Sequence, residues 1–312
     1  MKNRYIYALL VLGNMFWGCS YPLTKMVVDY MPRDSFIFFR FLIAAVILRI
    51  IIQVVPAEER PCLSDLKKDR IGRLVPAAVS GFLGIFMYQI LFFMSLERTT
   101  AINSSIIGAL NPVMTIIIGV IFARQYINRK MALGVLISLM GAVLTICGGN
   151  LNLLSGMNLN SGDLLMLAGT GVWAVYNVYC QCRCADFNAL VLTFWNFVTC
   201  MIFSLPLAVA EKPWEWIGQV PASSWIALIC LAAFASVGAY CIQFLAIKKI
   251  GSARTSVFVN LMPFFSMGAS VIMIGEELEP VKLLTAVIIV AGVIICQKYG
   301  RKPDEIVHCD KL

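Results

Sequence analysis

The chain has 312 residues, 60% of them hydrophobic and only 13% charged, with a formal net charge of +8. A charged fraction so far below the roughly 25% of soluble domains excludes an ordinary globular protein and points to an all-α integral membrane protein. The positive balance then belongs to loops flanking membrane spans and not to a nucleic-acid surface.

Taken in order, the apolar runs predict ten transmembrane helices, roughly 5–27, 34–55, 72–95, 100–123, 130–148, 162–181, 188–209, 223–247, 252–274 and 281–299. Each is near the ~20 residues that cross a bilayer. Lys2 and Arg4 imitate a signal peptide, but no A-x-A-like cleavage site precedes Pro22, so the first run is expected to remain a helix. Three connections are longer than the rest: a charged loop over 57–70, a polar linker over 150–161 and a Trp-bearing loop over 211–221. Trp214, Trp216 and Trp225 suit the membrane–water interface.

Lys and Arg set the orientation. With the N-terminus inside, the inner segments hold Lys67, Lys68, Arg70, Arg124, Arg129, Lys130, Lys248, Lys249 and Arg254 among others. The outer loops hold only Arg33, Arg98, Lys212 and Lys282. This asymmetry predicts a multi-pass protein of the cell (inner or plasma) membrane with both termini cytoplasmic.

The fourth run, Thr100–Ala123, has no charge but carries an Asn111-Pro112 step at mid-depth. Proline leaves a carbonyl without its helical partner, and within a bilayer neighbouring helices or cavity water must satisfy it. The ninth run repeats the pattern 151 positions later: Ser105 meets Ser256, Leu110 meets Leu261, Pro112 meets Pro263 and Gly141 meets Gly292. Earlier segments match at an offset of 156, as in Gly13/Gly169, Trp17/Trp173 and Phe41/Phe197. The chain reads as a duplication, with a first repeat over 1–149, a periplasmic linker over 150–161, a second repeat over 162–300 and a tail over 301–312. Five helices per copy turn the second copy upside down. Loop charge agrees, since Arg124, Arg129 and Lys130 correspond to a loop carrying Glu276, Glu277 and Glu279. Inverted repeats of this kind are a secondary-transporter architecture.

Trp17-Gly18, Lys25 ending the first helix, Arg40 opening the second, and Pro263, Gly275-Glu276 and Gly292 near the end resemble the drug/metabolite transporter superfamily, in particular its EamA-type ten-helix exporters. The resemblance implies two five-helix repeats around a central cavity and export of small organic solutes. The first half departs from the family pattern at Arg124-Gln125, where a Glu is usual.

Asn14, Trp17, Tyr21 and Lys25 recur at helical spacing, and Thr170, Trp173, Asn177 and Gln181 do so at the equivalent places of the sixth helix. Two such stripes fit opposite walls of one cavity, or else hydrogen bonding between packed helices. Tyr88 and Gln89, Asn103 and Asn111, and Tyr240 and Gln243 extend the candidate substrate-binding set. Arg40 is the most costly residue within a span, where insertion scales charge roughly 2.5–3.5 kcal/mol at the centre. It could snorkel outward, pair with Asp29 or Asp34, or bind a substrate carboxylate. Lys25 reads as a solvated helix end.

On the fifth helix Gly134, Ser138, Gly141, Thr145 and Gly148 form a small-residue seam, for packing within a half or in a homodimer. Cys180, Cys182 and Cys184 lack metal-site spacing, and the single histidine, His308, sits in the tail, so no metal is expected.

No phosphate-loop motif occurs, and neither a histidine nor a carboxylate lies in mid-span, so neither ATP-driven transport nor an enzyme is expected. No cofactor and no nucleic acid are expected either; the partners are a small solute and the lipid bilayer. The reading is a secondary transporter, exporting amino acids or related metabolites by alternating access. Import of a vitamin-like or sugar-like solute, or a non-transporting structural or sensory role, are the alternatives. Exchange or facilitated diffusion is expected over coupling to an intramembrane titrating group.

Overall fold

The computed structural model describes residues 4–54, 70–123, 128–146 and 160–299. Ten helical spans follow in order: Arg4–Val28; Arg33–Val54; Arg70–Gly81 continuing to Leu96; Ala101–Gly108 with Asn111–Ala123; Arg129–Ile146; Ser161–Arg183; Ala189–Ala210; Ala222–Cys230 continuing to Ile250; Ser252–Ser256 continuing to Ile274; and Pro280–Lys298. They are called the first to tenth helices below. Six stretches are by length and composition able to cross a bilayer, and the fifth, ninth and tenth helices supply shorter apolar ones. The 211–221 connection contains a short helix, Pro213–Trp216, and a 3₁₀ turn, Ile217–Gln219. Most of the linker and the tail lie outside the described residues.

Both mid-span prolines interrupt their helices where the sequence placed the breaks. In the fourth helix the chain turns at Ala109–Leu110, and Pro112 sits in the first turn of the following piece, where a missing N–H removes no ladder bond. In the ninth, Ser252–Ser256 tightens to a 3₁₀ stretch over Val257–Leu261 before Pro263 opens Met262–Ile274. Two further interruptions carry no proline. π turns occupy Phe82–Met87 in the third helix and Leu231–Gly238 in the eighth.

The helix contacts recur in pairs along the chain. The fifth helix pairs with the tenth and the second with the seventh. The first packs on the ninth as the sixth does on the fourth, and the first on the eighth as the sixth does on the third. Some residues at matching offsets also touch one another. Trp17 and Trp173 cross edge-on at 5.4 Å between ring centroids, and Phe41 and Phe197 meet at 5.3 Å. Ser138 Oγ donates to Ile289 O at 3.0 Å, again between positions 151 apart.

The fifth-helix seam is used within the chain and across its halves, which differs from both packing partners considered above. A Cβ on Gly292 would stand 2.6 Å from Ser138 N and 2.7 Å from Gly134 O, so the backbones of the fifth and tenth helices touch there. Without a hydrophobic drive between helices in lipid, this close approach is a main source of attraction. The side chain of Thr145 is outside the described set, as is Gly148.

At the ends, carboxylates act as caps. Glu211, after the seventh helix, accepts the backbone N–H groups of Asp34 (3.1 Å) and Ser35 (2.7 Å) at the start of the second. Those donors have no intrahelical partner, and the helix dipole favours an anion at that end. Arg33 holds Asp34 at 3.1 Å and approaches Glu97 at 3.9 Å.

Candidate functional site

Side chains of the first, second, third, fourth, sixth, eighth and ninth helices line a narrow central cavity. Nine of the residues singled out in the sequence line it: Trp17, Tyr21, Arg40, Tyr88, Gln89, Asn111, Thr170, Trp173 and Tyr240. Asn14, Asn177 and Gln243 do not. Asn14 Nδ2 turns back to Leu10 O at 2.6 Å. Asn177 sits behind the wall, donating to Asn111 Oδ1 at 3.3 Å and accepting from Gln243 Nε2 at 3.2 Å. One chain of amides thus links the sixth, fourth and eighth helices at the proline break and fixes how Asn111 faces the cavity.

Arg40 is 2% exposed and is the largest fully buried side chain. Nε donates to Ser236 Oγ at 2.9 Å, and the guanidinium lies 5.5 Å from the Phe41 ring centroid. Neither Asp29 nor Asp34 pairs with it. Asp34 is taken by Arg33, and Asp29 lines a separate cavity near Lys25. The ionisable groups that face Arg40 are Tyr240, Tyr88 and Cys200, none of them acidic at neutral pH. Among the described residues, then, a buried cation stands without a counter-charge, and its Nη1 has no protein partner. The equivalent position in the second half, Asn196, accepts from Ser80 Oγ at 2.7 Å. Ser80 and Ser236 are themselves 156 apart, so one contact recurs in both halves with a charge in only one.

The π turns position this chemistry. A π turn releases carbonyls from the helical ladder, and Ala235 O, within the eighth-helix turn, accepts Trp17 Nε1 at 2.9 Å. Ser236, the partner of Arg40, is the next residue. In the third-helix turn, Gly84 lies under the Tyr176 ring: a Cβ there would fall 2.1 Å from Tyr176 Cδ2. Sequence reading missed Ser236, Gly84 and the cavity-lining Phe92 and Met166 because nothing in an apolar run signals a π turn or a neighbour across the bundle. For Ser236 one sequence signal existed, the 156 spacing from Ser80.

Four lining side chains have a polar atom with no protein partner: Tyr21 (1% exposed), Gln89 (3%), Asn111 (1%) and Arg40. Gln89 Nε2 donates to Tyr240 OH at 3.3 Å, which leaves Oε1 over. Asn111 Oδ1 accepts from Asn177 and from Thr115 (3.3 Å), which leaves Nδ2 over. Buried polar groups are seldom left unmatched, so four converging on one cavity mark a place for a polar ligand. An expected split follows. Tyr21→Ala should weaken solute affinity about two- to tenfold, the worth of one neutral hydrogen bond at roughly 0.5–1.5 kcal/mol. Asn177→Ala should instead lower the melting temperature, since it strands Asn111 and Gln243. Binding titration and thermal unfolding of both variants check this, and equal affinity losses with no change in melting would refute the assignment.

The two ends of the cavity differ. Near Lys25, two clefts open to the outside share Lys25, Asp29 and Thr100 in their walls. Lys25, far from being merely solvated, donates to Thr99 O at 3.1 Å and ties the first helix to the third–fourth turn. At the opposite end Gln181, the equivalent of Lys25, accepts from Ser252 N at 2.9 Å and from Ser252 Oγ, tying the sixth helix to the eighth–ninth turn. Lys248 Nζ adds a bond to Phe187 O at 3.1 Å, and Lys249 reaches the Tyr5 hydroxyl. Two acids near the Lys25 end are more enclosed than their places at span ends suggested. Asp163, 1% exposed, accepts from Thr99 Oγ1 at 2.7 Å, and both carboxylate oxygens of Glu276 are buried without a partner. Neither lines the central cavity.

The profile of the EamA-like transporter family matches residues 4–147 and 160–296. The chain is 28% identical over 303 residues to an uncharacterized transporter, YyaM, of Bacillus subtilis (strain 168), covering 97% of each chain. It is 26% identical to an uncharacterized transporter of Archaeoglobus fulgidus, covering 94% of this chain and 97% of that one. A solved protein crystal structure shares the fold with a TM-score of 0.68 at 16% identity, over 95% of this chain and 98% of the other. Apolar spans, a buried polar cavity and these likenesses agree on a multi-pass membrane transporter of small solutes, and the chain belongs to the EamA-like transporter family.

Proposed function

We propose that the protein exports small carboxylate-bearing solutes, amino acids or related metabolites, by alternating access of two inverted five-helix halves, 1–149 and 162–300. The observation that carries this is Arg40, a cation buried at the cavity wall with no acidic partner among the described residues. A charge kept within a span is functional by default, because its burial is unfavourable unless something uses it. The duplicated packing supplies the mechanism. Lys25 and Gln181, at equivalent positions, tie the first and sixth helices to turns at opposite ends of the bundle, and in alternating access these ties would break in turn, one end opening while the other stays tied. Among the described residues no acid lines the cavity, which favours exchange or facilitated diffusion over proton coupling there.

In this reading the protein lies in the inner or plasma membrane, the Lys25 end and the linker face outward and both termini are cytoplasmic. Reporter fusions after Lys2, within 150–161 and at the C-terminus are expected to read inside, outside and inside. Cells overproducing the protein should release more of one carboxylated metabolite and resist its toxic analogues. A linker fusion reading inside would remove the inverted arrangement, and unchanged extracellular metabolites across a broad screen would count against export.

A further inference from the structure

The composition of the central cavity favours the related metabolites over the amino acids named above; the inference rests on the transporter reading of that site. Among the described residues its charge comes from Arg40, and no Asp, Glu or second basic residue lines the wall. Its unmatched polar atoms are lopsided. Arg40 Nη1 and Asn111 Nδ2 are donors only, Tyr21 OH can serve either way, and Gln89 Oε1 alone is purely an acceptor. Its remaining surface is aromatic. Trp17, Trp173, Tyr88 and Tyr240 stand against one another with centroids 4.9–5.5 Å apart, mostly edge-on or tilted.

We propose that this cavity selects monoanionic carboxylates that carry an aromatic ring, and that zwitterionic amino acids with the same ring are poorer ligands. A single carboxylate neutralises Arg40 and matches the donor excess, and the guanidinium fork can hold both its oxygens. An ammonium group brings three N–H donors to a site where only Gln89 Oε1 and the Tyr21 hydroxyl are spare to accept them, beside a like charge and away from water. A buried charge without a partner is strongly unfavourable, so the α-ammonium opposes binding that the carboxylate favours. A planar ring meets the four aromatic side chains in the edge or offset geometries that their quadrupoles prefer.

The test uses the full-length protein in nanodiscs and five compounds on one skeleton: 3-phenylpropionate, phenylalanine, 3-phenylpropanol, 3-phenylpropylamine and 3-cyclohexylpropionate. Affinities come from calorimetry, with thermal shift as a second readout. Expected are binding of 3-phenylpropionate about tenfold tighter than phenylalanine (about 1.4 kcal/mol), weaker binding of the cyclohexyl acid, and none detectable for the amine. Arg40→Ala should remove the preference for the acid over the alcohol. Phenylalanine equal to or tighter than 3-phenylpropionate overturns the proposal, as does no binding of 3-phenylpropionate at all. In either case Arg40→Ala, measured on metabolite efflux in cells, tells whether the carboxylate reading of the site survives: lost efflux keeps it, and unchanged efflux removes it as well.

Discussion

Arg40→Ala is expected to lose most transport of a carboxylated solute while the protein stays as stable as wild type or becomes more so. The two halves of that result come from the same contacts. In the empty cavity the guanidinium has one hydrogen bond, to Ser236, and a ring face 5.5 Å away, with no carboxylate to offset its desolvation. Removing such a charge relieves the folded state. In the solute-bound state proposed above, the same group would make a charge-assisted bond worth roughly 1.5–3 kcal/mol, so its loss would correspond to roughly ten- to hundredfold in affinity. Arg40→Lys keeps the charge but not the fork, and should retain part of the flux. Initial rates in proteoliposomes, alongside melting temperatures, measure both quantities. Normal transport by a folded alanine variant would reduce Arg40 to a structural residue.

Gly84→Ala is expected to be among the most damaging single-methyl changes in the protein. The added carbon would lie 2.1–2.5 Å from three ring atoms of Tyr176, which is itself 1% exposed and enclosed by the sixth-helix packing. Real contacts do not reach such distances, so the ring or the π turn must move. Overpacking of this kind costs roughly 1–3 kcal/mol, and here the displaced ring also touches Trp173 at 4.9 Å, at the cavity wall. Both yield and transport should fall. Tyr176→Leu in the same chain removes the obstructing ring and should restore melting temperature in part. A Gly84→Ala variant that melts and transports like wild type would show that the third-helix turn has slack which the geometry does not suggest.

These two residues also mark how far the sequence could be read. The breaks at Pro112 and Pro263 were legible because proline removes a donor wherever it stands, whatever surrounds it. The repeated spacing was legible because prolines and tryptophans recur at fixed offsets, and the structure brings two pairs at such an offset into contact, Trp17 with Trp173 and Phe41 with Phe197. Arg40 was legible as costly but not as unpaired, since Asp29 and Asp34 were near enough in sequence to neutralise it. Only the folded chain gives Asp34 to Arg33. The stripes on the first and sixth helices were legible as faces, yet a helical face does not say what stands opposite. Asn177 turned out to face Asn111 and Gln243, whereas Tyr21 faces the cavity. The π turns left no trace in composition, because Phe82–Met87 and Leu231–Gly238 are as apolar as the turns around them.

The central claim is that the two halves exchange conformations around one cavity, so that the two ends open in opposition. It is tested most directly by hydrogen exchange after the tie at one end is cut. Gln181→Ala removes the acceptor for Ser252 N and Oγ and leaves the Lys25–Thr99 bond chemically intact. Two populations in equilibrium must shift together when one is destabilised. The account predicts faster amide exchange over 250–256 and, in the same sample, slower exchange over 97–103. Faster exchange at the cut end with no change, or a rise, at the far end would mean local loosening, and would contradict alternating access through this cavity.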